Sequence, residues 1–312
     1  MVESRNKIME MRHGRIADWQ RLSSSLAIFR VFAENGRRVP SFEAGQYIAL
    51  RRDDCLLTKK VKEGNEVRYE PDLDADGKQK RGPVTHSYSI ASAPFEAEES
   101  NCLEFYVVLE RDGHELGRFT ESLFRVESDG TDRLDYLERV VGNFTLPRRA
   151  AGFAHVLMVA SGTGLAPFVS MVKQLHFEAQ RNGAPRKSYT LIHVNRTYEE
   201  LAYHRELLAI EDSNAFDFVY VPSVSRPTER DRADARLGSG RANNVLRHIL
   251  GIPPRESQAV PPELPSVHSL DILQKRIDRP QTVVMACGNP DGMEDIAAIA
   301  ARTGMRFEKE EW

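Results

Sequence analysis

The first half of the chain contains short hydrophobic runs with the length and composition of β-strands. Four runs are rich in β-branched and aromatic residues and have Gly, Pro or Asn nearby: LAIFRVFA (26–33), QYIALR (46–51), HSYSIAS (86–92) and CLEFYVVLER (102–111). Strands that follow one another without long helical patterns between them are typical of antiparallel sheets. The pattern therefore predicts an N-terminal antiparallel β-barrel.

Near Arg148 the pattern changes to an alternation of strands and helices. The strand runs are AHVLMVA (154–160), YTLIHVN (189–195), DFVYVPSVS (217–225) and the start of TVVMACGNPDGMEDIAAIAARTG (282–304), with a helix predicted through EELAYHRELLAI (199–210). Strand–helix alternation with right-handed crossovers builds a doubly wound parallel sheet. Two domains are therefore predicted, an antiparallel barrel over 1–148 and an α/β domain over 149–312.

Two segments interrupt these patterns. Residues 52–83 are charged and poor in large apolar groups, and residues 251–270 are rich in proline. The first segment is interpreted as an inserted surface loop or hairpin that is partly mobile, and the second as a surface excursion.

The composition excludes several classes of protein. Forty-six acidic residues against 43 Lys and Arg give a net charge of −3, so no global basic field indicates a nucleic-acid partner. Three widely separated cysteines exclude a disulfide framework and a four-cysteine iron–sulfur cluster within the chain, and the histidines show no metal-ligand spacing. The charged N-terminus and short apolar runs predict a cytoplasmic protein with no membrane partner.

A glycine turn follows the first strand of the second domain, in ASGTGLAPF (160–168). Gly162 and Gly164 let the backbone approach a phosphate or a sugar, and a helix N-terminus offers free N–H groups and a positive dipole. Glycines at strand–helix turns also occur for packing alone. The turn by itself leaves nucleotide binding and simple packing both open.

Four motifs occur in a fixed order along the chain: Ser-Tyr-Ser (87–89), GTGLAP (162–167), CGNP (287–290) and the C-terminal aromatic Trp312. Together they resemble the ferredoxin–NADP reductase family over nearly the whole chain, with the greatest likeness to the bacterial ferredoxin/flavodoxin–NADP reductases. The resemblance implies FAD on the barrel and NADP(H) on the parallel sheet.

The resemblance assigns the flavin ring to the Ser-Tyr-Ser strand. Tyr88 is expected to stack on the isoalloxazine, and the Ser89 hydroxyl to bond flavin N5. His86 stands where the family has an arginine for the FAD pyrophosphate. Neutral imidazole donates one hydrogen bond where guanidinium offers a charged bidentate fork, so a weaker phosphate grip is expected.

A second phosphate segment of the family corresponds to ELGRFTESL (115–123). Arg118 is expected to supply a positive charge to the pyrophosphate, and Thr120 the hydroxyl of a helix cap. An exposed surface charge is the alternative for Arg118, and a core tyrosine is the alternative for the flavin-side position of Tyr106. The remaining residues of the predicted FAD site are Ser87 and Phe119.

In the second domain, the resemblance places Cys287 beside the nicotinamide C4. A small, polarizable side chain leaves room there for two rings to approach, while a buried strand cysteine is the alternative. The predicted nucleotide-binding residues around it are Gly162, Thr163, Gly164, Gly288 and Asn289.

Three arginines at strand ends match those that hold the 2′-phosphate of NADP in the bacterial reductases: Arg196, Arg226 and Arg241, with the Ser225 hydroxyl beside them. Cationic groups at the carboxyl edge of the sheet favour NADP over NAD, and solvated surface charges are the alternative. Other arginines nearby, Arg230, Arg232 and Arg236, leave the register open.

The C-terminal segment ends FEKEEW. By resemblance, Trp312 is expected to cover the flavin or to reach the adenine, and Glu310 to carry a proton near N5. A segment frayed in solvent is the alternative.

The function that follows from the resemblance is an FAD-dependent oxidoreductase. NADPH is expected to pass a hydride to FAD, and the flavin to pass single electrons to a separate acceptor such as ferredoxin or flavodoxin. Two alternatives stay open. One is a reductase of free flavin, ferric chelates or an oxygenase component, using NADH or NADPH, and the other is an FAD-less nucleotide-binding sensor or scaffold.

Overall fold

The computed structural model describes residues 10–63, 66–112, 115–255 and 261–310, which form two compact units. The first unit contains the described residues of Met1–Phe42, Tyr47–Ser89 and Glu96–Val141, and the second contains those of Glu43–Gln46, Ile90–Phe95 and Gly142–Trp312. The predicted boundary after residue 148 lies a few residues beyond this change of unit. A single boundary also leaves out the two short segments of the first half that belong to the second unit.

The first unit is built on an antiparallel sheet of six strands. The strands of this part of the chain are β1 (Met11–Arg21), β2 (Leu26–Ala33), β3 (Tyr47–Leu56), β4 (Thr58–Glu63), β5 (Glu66–Pro71), β6 (Arg81–Ser89), β7 (Cys102–Val108), β8 (Arg111–Asp112), β9 (Glu115–Leu116) and β10 (Arg133–Leu137). The sheet order is β6-β3-β10-β1-β2-β7, while β4 pairs with β5 and β8 with β9. The helices are α1 (Pro94–Ser100), α2 (Arg118–Phe124) and α3 (Val126–Asp129). The predicted antiparallel fold is confirmed.

Aromatic side chains fill the core of this sheet. The rings of Phe29 and Phe105 are fully buried and stack with their centroids 5.4 Å apart, and Trp19 stacks on Phe29 at 5.6 Å. Phe124 of α2 meets Trp19 edge-on at 5.2 Å. Such pairs stabilise the fold beyond the area that they bury, so α2 is held against the sheet.

An ion pair within β3, between Arg52 and Asp54, also binds α2 through the Ser122 hydroxyl. Arg52 is 2% exposed and donates to the Asp54 carboxylate, to Ser122 Oγ at 2.8 Å and to the Thr131 carbonyl at 2.8 Å. Burial alone would raise the pKa of Asp54, but the hydrogen bonds from Arg52 and Ser122 outweigh it and hold that pKa at about 2. Because the buried Arg52 guanidinium has hydrogen-bond partners, the network stabilises the orientation of α2, the helix that carries Phe119.

For residues 52–83, predicted as an inserted surface loop or hairpin, the structure contains paired strands. Strand β3 continues to Leu56, β4 and β5 form a hairpin, and β6 already begins at Arg81, not at His86. A two-stranded ribbon can expose both faces, so its strands lack the apolar alternation that sequence patterns detect. Of the two predicted alternatives for this segment, a loop and a hairpin, the structure contains the hairpin.

The second unit is a parallel sheet with helices. Its strands are β11 (His155–Ser161), β12 (Ser188–Asn195), β13 (Phe218–Val224), β14 (Gly238–Ser239), β15 (Thr282–Cys287) and β16 (Arg306–Lys309), in the order β14-β13-β12-β11-β15-β16. Its helices are α4 (Leu146–Arg149), α5 (Ala166–Asn182), α6 (His204–Asp212), α7 (Glu229–Ala233), α8 (Ala242–Ile249), α9 (Leu270–Lys275) and α10 (Pro290–Thr303), with 3-10 turns at Gly162–Leu165, Tyr198–Glu200 and Arg279–Gln281. The predicted doubly wound α/β class is confirmed.

The core of this sheet lies against α8 and α10, where Val245 and Ile296 pack with Leu157 and Val284. Helix α6 begins at His204, later than predicted, because Tyr203 adopts a left-handed backbone conformation with φ 59° that no α-helix continues through. The carboxyl ends of β11, β12, β13 and β15 point to one edge of the sheet, the edge at which ligands bind in open α/β folds. No helix in the described ranges is long and apolar enough to cross a membrane.

Candidate functional site

The Tyr88 ring lies at the end of β6 over a buried phenylalanine of α2. Strand alternation puts His86 and Tyr88 on the same face, and both rings lie against Phe119, with centroids at 6.0 and 5.3 Å. Phe119 is 1% exposed. It therefore supports the two rings from behind, and the prediction that it contacts a cofactor itself stays untested.

The phenol oxygen of Tyr88 is buried and has no hydrogen-bond partner among the described residues. Burial raises the pKa of this phenol well above its ordinary value, and the Glu110 charge adds to the rise. A buried hydroxyl without a partner is costly and rare in folded proteins. The atom therefore fits a bound group that brings a hydrogen-bond partner to the ring, as a flavin nucleotide would.

The two serines that flank Tyr88 point to the opposite face of β6. Ser87 is exposed, and Ser89 is buried at the last position of the strand, paired with Tyr47 of β3. Tyr106 lies buried in β7 opposite Ile28 of β2. Tyr106 therefore occupies a core position, which was the alternative to a position beside the flavin.

The start of α2 differs from its prediction. Gly117 is the N-cap, and Thr120 lies inside the first turn, where its hydroxyl accepts from the Glu110 N–H at 3.1 Å and donates to the Gly117 carbonyl at 3.3 Å. Thr120 is therefore not the cap residue, because its hydroxyl holds the preceding loop. Arg118 is half-buried at the first helical position and forms no ion pair within the described part of the chain.

In the second unit, the glycine turn follows β11 directly. Gly162 has φ +57°, and a Cβ there would meet only Asn195 Oδ1, at 4.0 Å. A Cβ on Gly164 would lie 2.2 Å from the Cys287 carbonyl oxygen. The two glycines thus have different roles. Gly162 forms a left-handed turn with open space beside it, and Gly164 permits a close approach to the neighbouring loop. Thr163 between them is half-buried.

The neighbouring loop begins at Cys287, the last residue of β15. Gly288 has φ +144°, and the Asn289 side chain caps α10 by accepting from the N–H groups of Asp291 at 3.0 Å and Gly292 at 3.4 Å. Because β11 and β15 pair in parallel, the glycine turn and this loop leave the sheet side by side. The two predicted nucleotide motifs, GTGLAP and CGNP, therefore lie next to each other at the carboxyl edge of the sheet.

A carboxylate lies against the Cys287 thiol. Glu310 follows β16, is 8% exposed, and accepts a hydrogen bond from Cys287 Sγ through Oε2 at 3.3 Å. Burial, with the Glu310 charge in addition, raises the pKa of the thiol well above its ordinary value. The alternative of a solvent-frayed Glu310 is wrong for this residue, while Trp312 lies outside the described residues.

The arginines predicted to bind the 2′-phosphate differ in whether their guanidinium groups already pair with a carboxylate. Arg196 is already bound, with Nε 2.9 Å from Glu200 Oε2 and a second nitrogen on Oε1. Arg226 and Arg241 are exposed and form no ion pair with the residues that the structure describes. The backbone brings the loops together, since the N–H groups of Ser225 and Arg226 donate to the carbonyls of Asn195 and Arg196, both at 2.9 Å.

The other nearby arginines are occupied. Arg230 lies over the Tyr198 ring at 5.7 Å, Arg232 is 3.5 Å from Glu263, and Arg236 binds Asp212 at 2.7 Å. This favours the register with Arg226 and Arg241. Within the described ranges, no group of three or more His, Cys, Asp or Glu could hold a metal ion.

Ser161 at the glycine turn makes a contact that the sequence did not predict. Its Oγ accepts from the Asn289 N–H at 3.1 Å, which links the two nucleotide loops. The residue stands inside the quoted ASGTGLAPF motif, but its partner lies far along the chain.

Comparisons with known proteins agree with this arrangement. Residues 158–298 match the model of the oxidoreductase NAD-binding domain family. A flavodoxin/ferredoxin–NADP reductase of Buchnera aphidicola is 31% identical over 124 residues, which are 40% of this chain and 43% of that protein. A ferredoxin–NADP reductase of Azotobacter vinelandii is 26% identical over 219 residues, 66% of this chain and 76% of that protein. The match to the first relative thus spans less than half of its length.

Solved structures share the fold over almost the whole chain. A ferredoxin NADP+ reductase from Neisseria gonorrhoeae with bound FAD and NADP has a TM-score of 0.62 at 20% identity, covering 96% of this chain and 98% of its own. The cytochrome b5 reductase domain of Ulva prolifera nitrate reductase has the same TM-score at 16% identity, covering 96% and 97%. These likenesses show the two-part fold, and the relatives with detectable sequence similarity are named as ferredoxin–NADP reductases. The chain thus carries an oxidoreductase NAD-binding domain within the two-part fold that ferredoxin–NADP reductases share.

Proposed function

We propose that this protein is an FAD-dependent oxidoreductase that takes electrons from NADPH and delivers them to a separate protein acceptor such as ferredoxin or flavodoxin. The observation that carries the proposal is the carboxyl edge of the parallel sheet, where the GTG turn and the CGNP loop interlock and the Cys287 thiol meets Glu310. When bound, NADPH supplies a hydride and FAD accepts it and releases electrons singly.

On the first unit, the residues of β6 would hold the flavin. Tyr88 offers a flat ring backed by Phe119 and an unpartnered phenol O–H, and Ser89 follows it at the strand end. Arg118 would oppose the negative pyrophosphate, since its guanidinium forms no ion pair within the described part of the chain. His86 adds a single hydrogen-bond donor in place of a charged fork.

On the second unit, Arg226 and Arg241 would bind the 2′-phosphate, because both are exposed and free of carboxylates in the described ranges. The open side of Gly162 leaves space for the nucleotide at the sheet edge. Cys287 keeps its proton, because its thiol is buried next to a carboxylate, and therefore shapes and orients the nicotinamide pocket without acting as a nucleophile.

Anaerobic titration tests the proposal. The purified protein, loaded with FAD, is titrated separately with NADPH and NADH, and then mixed with oxidised ferredoxin or flavodoxin. Bleaching of the flavin band by NADPH, followed by recovery of the band as the acceptor is reduced, is the expected result. A flavin band that NADPH leaves unchanged would overturn the proposal.

One observation favours a second candidate, a reductase that uses NADH for a small acceptor or an oxygenase component. The Arg196 guanidinium is already paired with Glu200, which leaves fewer free cations for the 2′-phosphate. Faster flavin reduction by NADH than by NADPH, with no reduction of ferredoxin or flavodoxin, would favour this candidate.

A further inference from the structure

Ser161 joins the two loops at the carboxyl edge of the parallel sheet. It is the last residue of β11, and its Oγ accepts a hydrogen bond from the Asn289 N–H at 3.1 Å. The contact is tight, because a Cβ on Gly288 would lie 2.1 Å from this Oγ and 2.7 Å from the Ser161 carbonyl oxygen. The CGNP loop is therefore packed against one serine.

A second close approach holds the same two loops together. A Cβ on Gly164 would lie 2.2 Å from the Cys287 carbonyl oxygen and 2.6 Å from the Gly288 nitrogen. Since β11 pairs with β15 up to Ala160 and Cys287, both loops start at the same level of the sheet. Steric fit fixes their spacing, and the Ser161 hydroxyl adds a directional bond to the residue that caps α10.

We propose that Ser161 is a positioning residue that orients the Cys287–Asn289 backbone toward the nicotinamide end of NADP(H). The proposal rests on the proposed function for the identity of the nucleotide. Without the hydroxyl, the Asn289 N–H loses its acceptor, and the backbone next to the thiol gains freedom. The 2′-phosphate residues are on other strands, so they keep their geometry.

The variants are Ser161→Ala, which removes the acceptor, and Ser161→Thr, which retains it. Thr282→Val is the matched control. Thr282 is fully buried at the opposite end of β15 and donates to the Asp278 carbonyl at 2.7 Å, so its loss also removes one hydroxyl bond of the same sheet. All three variants are studied as full chains loaded with FAD.

The first measurement is hydrogen exchange of the Asn289 amide without nucleotide, followed by mass spectrometry with residue-level fragmentation. Faster exchange in Ser161→Ala, with wild-type exchange in Ser161→Thr and Thr282→Val, is the expected result. Unchanged exchange in Ser161→Ala overturns the inference whatever NADPH does, so its failure is distinct from that of the proposed function.

The second measurement separates positioning from general damage. Flavin reduction at saturating NADPH is expected to slow about fivefold in Ser161→Ala, the scale of one lost hydrogen bond. Affinity for adenosine 2′,5′-bisphosphate, which carries the 2′-phosphate without nicotinamide, is expected to stay at the wild-type value. Equal slowing in Thr282→Val, or a matching loss of affinity for this fragment, would overturn the positioning role.

Discussion

The Cys287 thiol donates a hydrogen bond to Glu310 Oε2 across 3.3 Å, and both side chains are more than nine-tenths buried. The thiol is the last side chain of β15, and the carboxylate follows the neighbouring strand β16. A buried thiol beside a carboxylate is a protonated donor with little nucleophilic character. The pair is therefore a buried, hydrogen-bonded polar contact at the edge of the sheet.

Replacing Glu310 with Gln is expected to lower the pKa of Cys287, because the carboxylate charge contributes to its rise after burial. Thiolate then forms at lower pH, and the pH profile of Cys287 alkylation, followed by peptide mass spectrometry, should shift downward. Cys55 and Cys102 belong to the other unit and are internal references whose profiles stay in place. An unshifted Cys287 profile would contradict the assigned contact.

Asp54→Asn is expected to destabilise the protein at neutral pH by about 1 kcal/mol, because the carboxylate with its pKa held at about 2 is partly exposed and solvent screens its ion pair. Because the folded pKa is depressed, this stabilisation is complete above about pH 5 and is lost as the pH falls through the folded pKa of about 2. Urea unfolding across this range measures it. Asp53→Asn is the control, since its carboxylate is 60% exposed and pairs only at the surface with Arg51. Equal effects of the two variants would refute the role of the buried network.

Tyr88→Phe is expected to have opposite effects on the apoprotein and on FAD binding. Removing a buried hydroxyl that lacks a partner should stabilise the apoprotein by about 1 kcal/mol. The same change should weaken FAD retention, because the hydroxyl is proposed to bond the bound flavin nucleotide. Denaturant unfolding of the apoprotein and fluorescence titration with FAD check the two signs. A less stable apoprotein would mean that the phenol has a partner within the chain.

His86→Arg is expected to tighten FAD binding about tenfold, because a charged bidentate fork replaces a single donor. Equilibrium titration of the apoprotein measures the change. His86→Lys is the control that adds charge without the fork, and it should give a smaller gain. If neither variant binds FAD more tightly, position 86 does not face the pyrophosphate.

The arginines at the strand ends should separate into two groups. Arg226→Ala is expected to raise the KM for NADPH about tenfold by removing a charge-assisted hydrogen bond, with little change for NADH. Arg196→Ala should have a smaller effect, because Glu200 already occupies its guanidinium. Steady-state kinetics with both nucleotides tests this order, and a larger effect at Arg196 would reverse the assignment.

Sequence patterns predicted the strands that contain a continuous run of apolar residues. Strand β2 has the bounds that its apolar run indicated, and the order of the motifs predicted the two-part fold. Strand β1 was missed because Gly14 and Ile16 are its only buried residues, which leaves a polar pattern without clear alternation. Patterns of this kind identify strands only when one face is continuously apolar.

The site details that escaped prediction depend on tertiary contacts. Thr120 was expected to cap α2, but its hydroxyl binds Glu110 across a loop. Ser161 finds its partner Asn289 only because β11 and β15 lie side by side in the folded sheet. Arg196 and Glu200 are near in sequence, yet their bidentate pairing depends on the 3-10 turn that ends at Glu200. Residue type and spacing alone do not specify such partners.

The most direct test of the account is the visible spectrum of the purified protein, followed by anaerobic titration with NADPH. The expected result is a yellow protein, or one that turns yellow with added FAD, whose flavin band is bleached by NADPH in preference to NADH. A protein that stays colourless after incubation with FAD would contradict the account and would favour an FAD-less nucleotide-binding module.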